Sequence, residues 1–411
     1  KVNKMFYNKT ITPHDNFLPT KRENDVTGFF IFLVGMFFLS GTLLIGVNNV
    51  IVQVICLLLI YLVPIMIFGI YTKKYIYLGV FITSMYILQN FMIGIGANLN
   101  ASPNLQVIQI FIAFISGFSF LVFSFLIIVN NNVISYFHEK IGIIFIIITV
   151  VYFFIGPMEL TTASAYARNL FLIVLFPIIG KLLVKSSKDL GVFIKYIFGF
   201  SLLIVIFGIF ESLVLPYTFW YKYLNADVVL IAKGSSITNY DRFPPLWYTS
   251  LFDVILRRMV SFFMEPVNLS YYLVVPTVFA FVFKKRLLLL IFLIGVILTF
   301  GKGGWLVLFI SISSIMLLKF FKNKNGFIPL FFYITLATIL LAYVYFKITP
   351  GTALPHLWGM MSIEKNLIST PLGNGLGSGG NFNAIFNDVN LYSTMDTGSE
   401  SGLATLVYKL G

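Results

Sequence analysis

Charge is what this chain has least of. Only 10% of its 411 residues are Asp, Glu, Lys or Arg, against 59% hydrophobic, whereas a soluble domain carries about 25% charged residues. That shortage excludes an ordinary globular enzyme. A single cysteine cannot close an internal disulfide, so segments outside a membrane hold together without one. Glycine (31) and proline (15) stand near their usual share, which excludes a collagenous or low-complexity chain. There is no HExxH helix and no cysteine pair, and the acids near His356 are scattered, so nothing points to a metal. No internal repeat stands out, and the inverted symmetry of many transporters is not visible.

What the chain does have is apolar runs long enough to cross about 30 Å of hydrocarbon as helix. They predict spans at 26–47, 50–71, 76–96, 105–129, 141–156, 166–184, 192–214, 266–283, 287–301, 303–320 and 327–346. A twelfth opens in SGLATLVYKLG, 401–411, and is expected to continue past the end of this chain. The short alternating pattern of a membrane barrel is missing, so helices must satisfy the backbone. The expected fold is therefore an all-α, polytopic membrane protein with eleven spans and the start of another. The polar stretch before Val26 is too long for a signal-peptide n-region, and no cleaved signal is expected.

The net charge of +13 is unevenly placed. With the N-terminus inside, cytoplasmic segments hold Lys21, Arg22, Lys73, Lys74, Lys140, Lys181, Lys185, Lys284, Lys285 and Arg286, while the turns at 48–49 and 97–104 hold no basic residue. That is the positive-inside asymmetry, and basic residues that lie mostly in cytoplasmic turns give no reason to expect a nucleic-acid partner. The organisation follows: a cytoplasmic tail at 1–25, seven spans in 26–214, an extracytoplasmic connection at 215–265, four spans in 266–346, a second extracytoplasmic connection at 347–400, and the opening of the last span at 401–411. Connections this long usually carry function. The first is aromatic throughout.

Four places hold residues able to do chemistry. In ILRRMVSFFMEPVNL, Arg257 and Arg258 precede the eighth span. Either they snorkel to headgroups, or their forked guanidinium groups match phosphate oxygens. Glu265 beside Pro266 is placed to cap the helix. In ILTFGKGGWLVLF, Lys302 is the one cation of a glycine-rich turn, where glycine allows close backbone approach and a helix N-terminus offers unpaired N–H groups to a phosphate; the alternative is a tight turn with a snorkelling lysine. His356, next to Leu357 and Trp358, is the one histidine in a long outer loop; His14 and His138 belong to cytoplasmic segments. Its imidazole can take a proton from a hydroxyl, hydrogen-bond a phosphate, or pack on Trp358. PLGNGLGSGG, 371–380, lacks the GK[ST] of a phosphate loop and lets the chain turn before Asp388, Asp396 and Glu400. Glu400 opens the last helix, as a terminal acid or as a ligand for an acceptor sugar. Within the spans Glu159, Arg168 and Glu211 are costly, and at least one of them is expected to line a cavity below the loops.

Taken in order, these segments resemble the bacterial O-antigen ligase and repeat-unit polymerase superfamily. The resemblance is carried by Arg258 with Phe263 and Pro266, by LTFGKGGW, by HLWGMMSIEKNLISTPLGNGLG and by ESGL. It covers residues 258–411; the first 214 residues match only as a series of spans. Gly301 and Lys302 stand where serine and arginine are common, and Ser261 and Glu265 where glycine and asparagine are frequent.

The resemblance implies metal-independent glycosyl transfer, without a cofactor, at the outer face of the bacterial inner membrane. An acceptor hydroxyl attacks the anomeric carbon of a glycan carried on undecaprenyl pyrophosphate, which leaves. Arg258, Lys302 and His356 are then the catalytic candidates, with Arg257, Arg242, Glu265, Trp358 and Glu400 as substrate-binding candidates, and the aromatic loop offers rings for sugar stacking. Implied partners are lipid-linked donor and acceptor, membrane lipids, a chain-length regulator and a flippase. A polymerase is favoured by the ESGL opening and the acid-rich second loop; a ligase acting on lipid A core and a polysaccharide transporter or flippase are the alternatives.

Overall fold

The computed structural model describes residues 21–47, 62–99, 105–129, 137–155, 160–216, 218–232, 247–251, 254–320, 367–378 and 402–410, with the isolated positions 333, 336 and 363. In chain order these form α1 (Lys21–Val47), a π-helix (Ile65–Tyr71), α2 (Ile76–Asn98), α3 (Leu105–Val129), α4 (Phe137–Phe153), α5 (Leu160–Leu183) and α6 (Ser187–Leu213). The short helices α7 (Thr218–Leu224) and α8 (Ala226–Ala232), the strands β1 (Tyr248–Leu251) and β2 (Val254–Arg257) and a 3-10 turn (Ser261–Phe263) come next. Then follow α9 (Pro266–Val282), α10 (Arg286–Leu298), α11 (Lys302–Phe320) and α12 (Gly402–Leu410).

The stretches Ile76–Asn98, Val107–Val129, Thr162–Leu183 and Ser187–Leu213, of 23, 23, 22 and 27 residues, are each long and apolar enough to cross a membrane. The protein is an all-α membrane protein with at least four such spans. Several expected spans coincide with helices, 105–129 among them. The expected 141–156 run begins earlier, at Phe137, and ends at Phe153. The predicted span at 327–346 and most of that at 50–71 fall outside the described residues.

Helix α2 is the axis of the bundle. It is apolar all round, as a buried helix must be, and packs against α1, α3, α5, α6, α7 and α8. Two of its buried polar side chains are partnered: Ser84 Oγ donates to Val80 O at 2.8 Å, and Asn90 Nδ2 donates to Phe263 O. A second layer forms where α9 packs on α10 and α11 and α6 leans on α9 and α10. Facing away from both layers, Ile31, Leu39, Ile144, Ile173, Ile206 and Leu290 are exposed, the surface expected against lipid chains.

One end of the bundle is tied by charge. Lys181 near the end of α5 pairs with buried Glu139 in the first turn of α4, and Lys185 lies 4.4 Å above the Tyr75 ring. There α6 starts with a capping box, Ser186 Oγ accepting from Asp189 N at 3.2 Å while Asp189 Oδ2 accepts from Ser186 N at 2.9 Å.

At the opposite end the first long connection is folded. Strands β1 and β2 pair antiparallel, Tyr248 opposite Arg257. Trp220 and Trp247 are fully buried, 5.8 Å apart edge to face, and Phe207 stacks on Phe262 at 4.7 Å. The aromatic residues of this connection therefore seat it on α2 and α6. Of the rings proposed for sugar stacking, Tyr223 is the exposed one among the described residues.

Candidate functional site

The site is built on a buried carboxylate. Glu211, in the last turn of α6, is fully enclosed and accepts four hydrogen bonds. Its Oε1 accepts from Val260 N at 2.8 Å and Ser261 N at 3.4 Å; its Oε2 accepts from Trp220 Nε1 at 3.1 Å and Arg257 at 2.9 Å. Arg257 also donates to Leu215 O. A buried charge persists only when its lone pairs are met in this way, and the effect is to pin the ribbon and the 3-10 turn to α6. The Arg257 guanidinium is engaged by these partners, and we assign it to the scaffold.

The neighbouring Arg258 points the other way. Its backbone N–H extends the ribbon to Trp247 O at 2.8 Å, and Met259 N–H reaches Leu298 O at 2.9 Å. Its Nε donates to Thr299 O at 2.8 Å, with Phe300 O at 3.5 Å from the same guanidinium. These carbonyls close α10, where helical donors have run out and the helix dipole favours a cation. Burial draws the Arg258 guanidinium down to about 10, opposed by the Glu265 carboxylate, and it remains charged at neutral pH. The turn it grips carries Phe300 at φ 47°, a left-handed backbone that costs about 1–2 kcal/mol in a non-glycine residue and must be held by its surroundings.

Lys302 is the first residue of α11, exposed, and within electrostatic range of Arg258. Its glycines have a different use from the one expected. A Cβ on Gly301 or Gly304 would run into Ser270, and one on Gly303 into Tyr271. They let the start of α11 lie against α9, which fixes where the Lys302 ammonium emerges. Glu265 sits at the N-cap of α9 (φ −147°, ψ 113°) without capping it by its side chain; its carboxylate accepts from Asn268 Nδ2. Arg258, Lys302 and Glu265, drawn from three chain segments, thus share one end of the bundle at the start of α11. Two cations beside a helix N-terminus make a place for an anion with spread charge, such as a phosphate or pyrophosphate.

Arg242, His356, Trp358 and Glu400 lie outside the described residues, as does Glu159. Of the second connection, 367–378 is described, with the isolated position 363. It turns on Gly373 (φ 70°) and Gly375 (φ 83°) and follows α12, with Asn374 N donating to Tyr408 O at 2.9 Å and Gly375 N to Lys409 O at 3.0 Å. Lys409 is buried, its ammonium donating to Leu376 O at 2.9 Å and to Ser378 O and standing 3.7 Å from the Tyr166 ring centre. Arg168 lines a hollow among α3, α4 and α5. Of the three intramembrane charges, Arg168 lines this hollow between helices, whereas Glu211 anchors the scaffold.

Sequence reasoning missed two residues and the role of a third. The hub role of Glu211 leaves no trace in spacing, because its donors come from residues 9, 46, 49 and 50 positions away. Lys409 reads as an ordinary lysine of the last helix. Asp227, in the apolar run ADVVLIA, has a buried Oδ1 with no hydrogen-bond partner, and burial raises its carboxyl above the usual range. Among the described residues no three His, Cys, Asp or Glu side chains converge as a metal site. No family model, curated protein or solved structure matches the chain.

Proposed function

We propose that this chain is a membrane glycosyltransferase that polymerises oligosaccharide repeat units carried on undecaprenyl pyrophosphate. The observation that carries the proposal is the Arg258–Lys302 pair at the start of α11. The acceptor hydroxyl oxygen bonds to the anomeric carbon of the donor sugar as that carbon's bond to the pyrophosphate oxygen breaks. The bonding pair leaves with undecaprenyl pyrophosphate, and the hydroxyl proton passes to a base, for which His356 is the candidate. Negative charge grows on the pyrophosphate, so cations already held in place lower the barrier; a preorganised donor of this kind contributes about 100- to 1,000-fold in rate. Arg258 is preorganised by the carbonyls of α10, and Lys302 by the glycine packing of α11 on α9.

In this proposal the N-terminus is cytoplasmic, the chain makes eleven crossings and opens a twelfth, and the Arg258 end faces out from the bacterial inner membrane. Arg242, Trp358 and Glu400 contact sugars, and a flippase and a chain-length regulator act beside it. Cysteines placed at Ser235 and Asn383 should then react with an impermeant maleimide in intact spheroplasts; reaction only after permeabilisation would reverse the orientation. Purified protein given a synthetic lipid-linked repeat alone should make longer lipid-linked glycan. Product appearing only when lipid A core is added makes it a ligase, and no product with either acceptor ends the glycosyltransferase proposal.

A further inference from the structure

The hollow among α3, α4 and α5 has a volume of about 390 Å³ and is walled by the rings of Phe120, Phe153, Phe154 and Phe171. Its polar lining consists of Ser164 and Arg168, four residues apart on α5 and so on one helical face. Arg168 Nε reaches Asn169 Oδ1 at a long 3.4 Å, and among the described residues no carboxylate pairs with it. A guanidinium inside a span is costly without a counter-charge and marks a ligand path more often than a structural need.

Position narrows the ligand. Arg168 is eight residues past Leu160, about 12 Å along the helix, on the half of α5 away from the Lys181–Glu139 pair. On the wall formed by α4, Val150 is 43% and the following Phe154 64% exposed, so the hollow is open there to a lipid chain. A glycerophospholipid brings two chains and a phosphate fixed at the headgroup plane. A lipid whose single chain is esterified directly to phosphate can lower that phosphate to Arg168 and Ser164 and lay its first isoprene units on the four rings.

We propose that this hollow is a second lipid site, taking the isoprenoid pyrophosphate of the acceptor while the Arg258–Lys302 pair takes the donor's pyrophosphate. The acceptor assignment rests on the polymerase proposal, since joining two lipid-linked chains requires two lipid sites. The test is photolabelling in nanodiscs with a diazirine-bearing isoprenoid pyrophosphate, mapped by mass spectrometry. Wild type should label in the segments holding Phe153 and Phe171. Arg168→Gln should reduce that label about tenfold or more through loss of a charge-assisted pair. Ser164→Phe, which blocks the hollow without touching the charge, should do the same, and Arg258→Gln should leave this label unchanged. Label indifferent to both α5 substitutions, or displaced by phosphatidylglycerol as readily as by unlabelled isoprenoid pyrophosphate, overturns the site. Label that follows Arg168 in a protein that extends no glycan upholds the lipid site and refutes the polymerase; extension without that label does the reverse.

Discussion

Replacing Glu211 by Gln keeps the shape of the side chain and removes half of its capacity to accept. Whichever way the amide is turned, its NH2 faces either Val260 N and Ser261 N or Trp220 Nε1 and Arg257. Arg257 also loses its counter-charge. Breaking a buried ion pair from one side costs about 3–5 kcal/mol, and since the Arg257 side chain is 19% exposed, water offsets part of that; the low end, about 3 kcal/mol, is expected. With an unfolding entropy of about 2.1 cal/mol/K per residue, a chain of 411 residues should lose about 3–4 °C in Tm. Trp220 and Trp247 lie beside this carboxylate and report its loss by intrinsic fluorescence in detergent. The double variant Glu211→Gln, Arg257→Met should lose less than the sum of the two singles, because the second change removes the stranded charge. A Glu211→Gln protein melting within about 1 °C of wild type would show that this carboxylate does not hold the ribbon to α6. An Arg257→Gln protein that loses activity with unchanged melting would place Arg257 in the anion site instead.

The glycine packing of α11 is tested by Gly301→Ala, which overpacks against the Ser270 side chain and should cost about 1–3 kcal/mol, recovered when Ser270→Gly is added. Gly304→Ala should resist the same rescue, because its Cβ would also lie 2.9 Å from the Ser270 backbone carbon; thermal melts of the four proteins decide. Asp227 holds a proton in the folded state at a pH where the unfolded chain has released it. Its contribution to stability is therefore greatest below the ordinary Asp value of about 3.9 and is lost as pH rises through the elevated folded value. Wild-type Tm should fall relative to Asp227→Asn across that window and run parallel above it, and parallel curves throughout would count against the buried carboxyl. Lys409→Met strands the Leu376 and Ser378 carbonyls, each a loss of about 1–3 kcal/mol when buried, and should make Pro371–Ser378 a site of limited proteolysis in folded protein.

Helix position was legible where composition decides it. The run 105–129 is uniformly apolar and its helix is Leu105–Val129; the expected 76–96 became Ile76–Asn98. The α4 boundary moved to Phe137 because Glu139 is buried in its first turn against Lys181, an ion pair that hydropathy scores as loop. Arg258, Lys302 and Glu265 stood out in the sequence as isolated charges, and the fold brings them to one end of the bundle. What separates Arg257 from Arg258 was not legible. Adjacent residues leaving a strand point to opposite sides, one to Glu211 and the other to the end of α10, and only the tertiary packing says which side holds the carboxylate. The glycines of LTFGKGGW read as room for a ligand, whereas Ser270 and Tyr271 take up that room.

Arg258 is proposed to stabilise the charge developing on a departing pyrophosphate. This role is tested most directly by single-turnover release of undecaprenyl pyrophosphate from a synthetic lipid-linked repeat, comparing wild type, Arg258→Lys and Arg258→Gln at equal folded concentration. Arg258→Gln should slow release about 100- to 1,000-fold with donor affinity changed far less, and Arg258→Lys should stay well below wild type because the fork gripping Thr299 O is lost. Release at the wild-type rate from folded Arg258→Gln protein would remove Arg258 from the reaction.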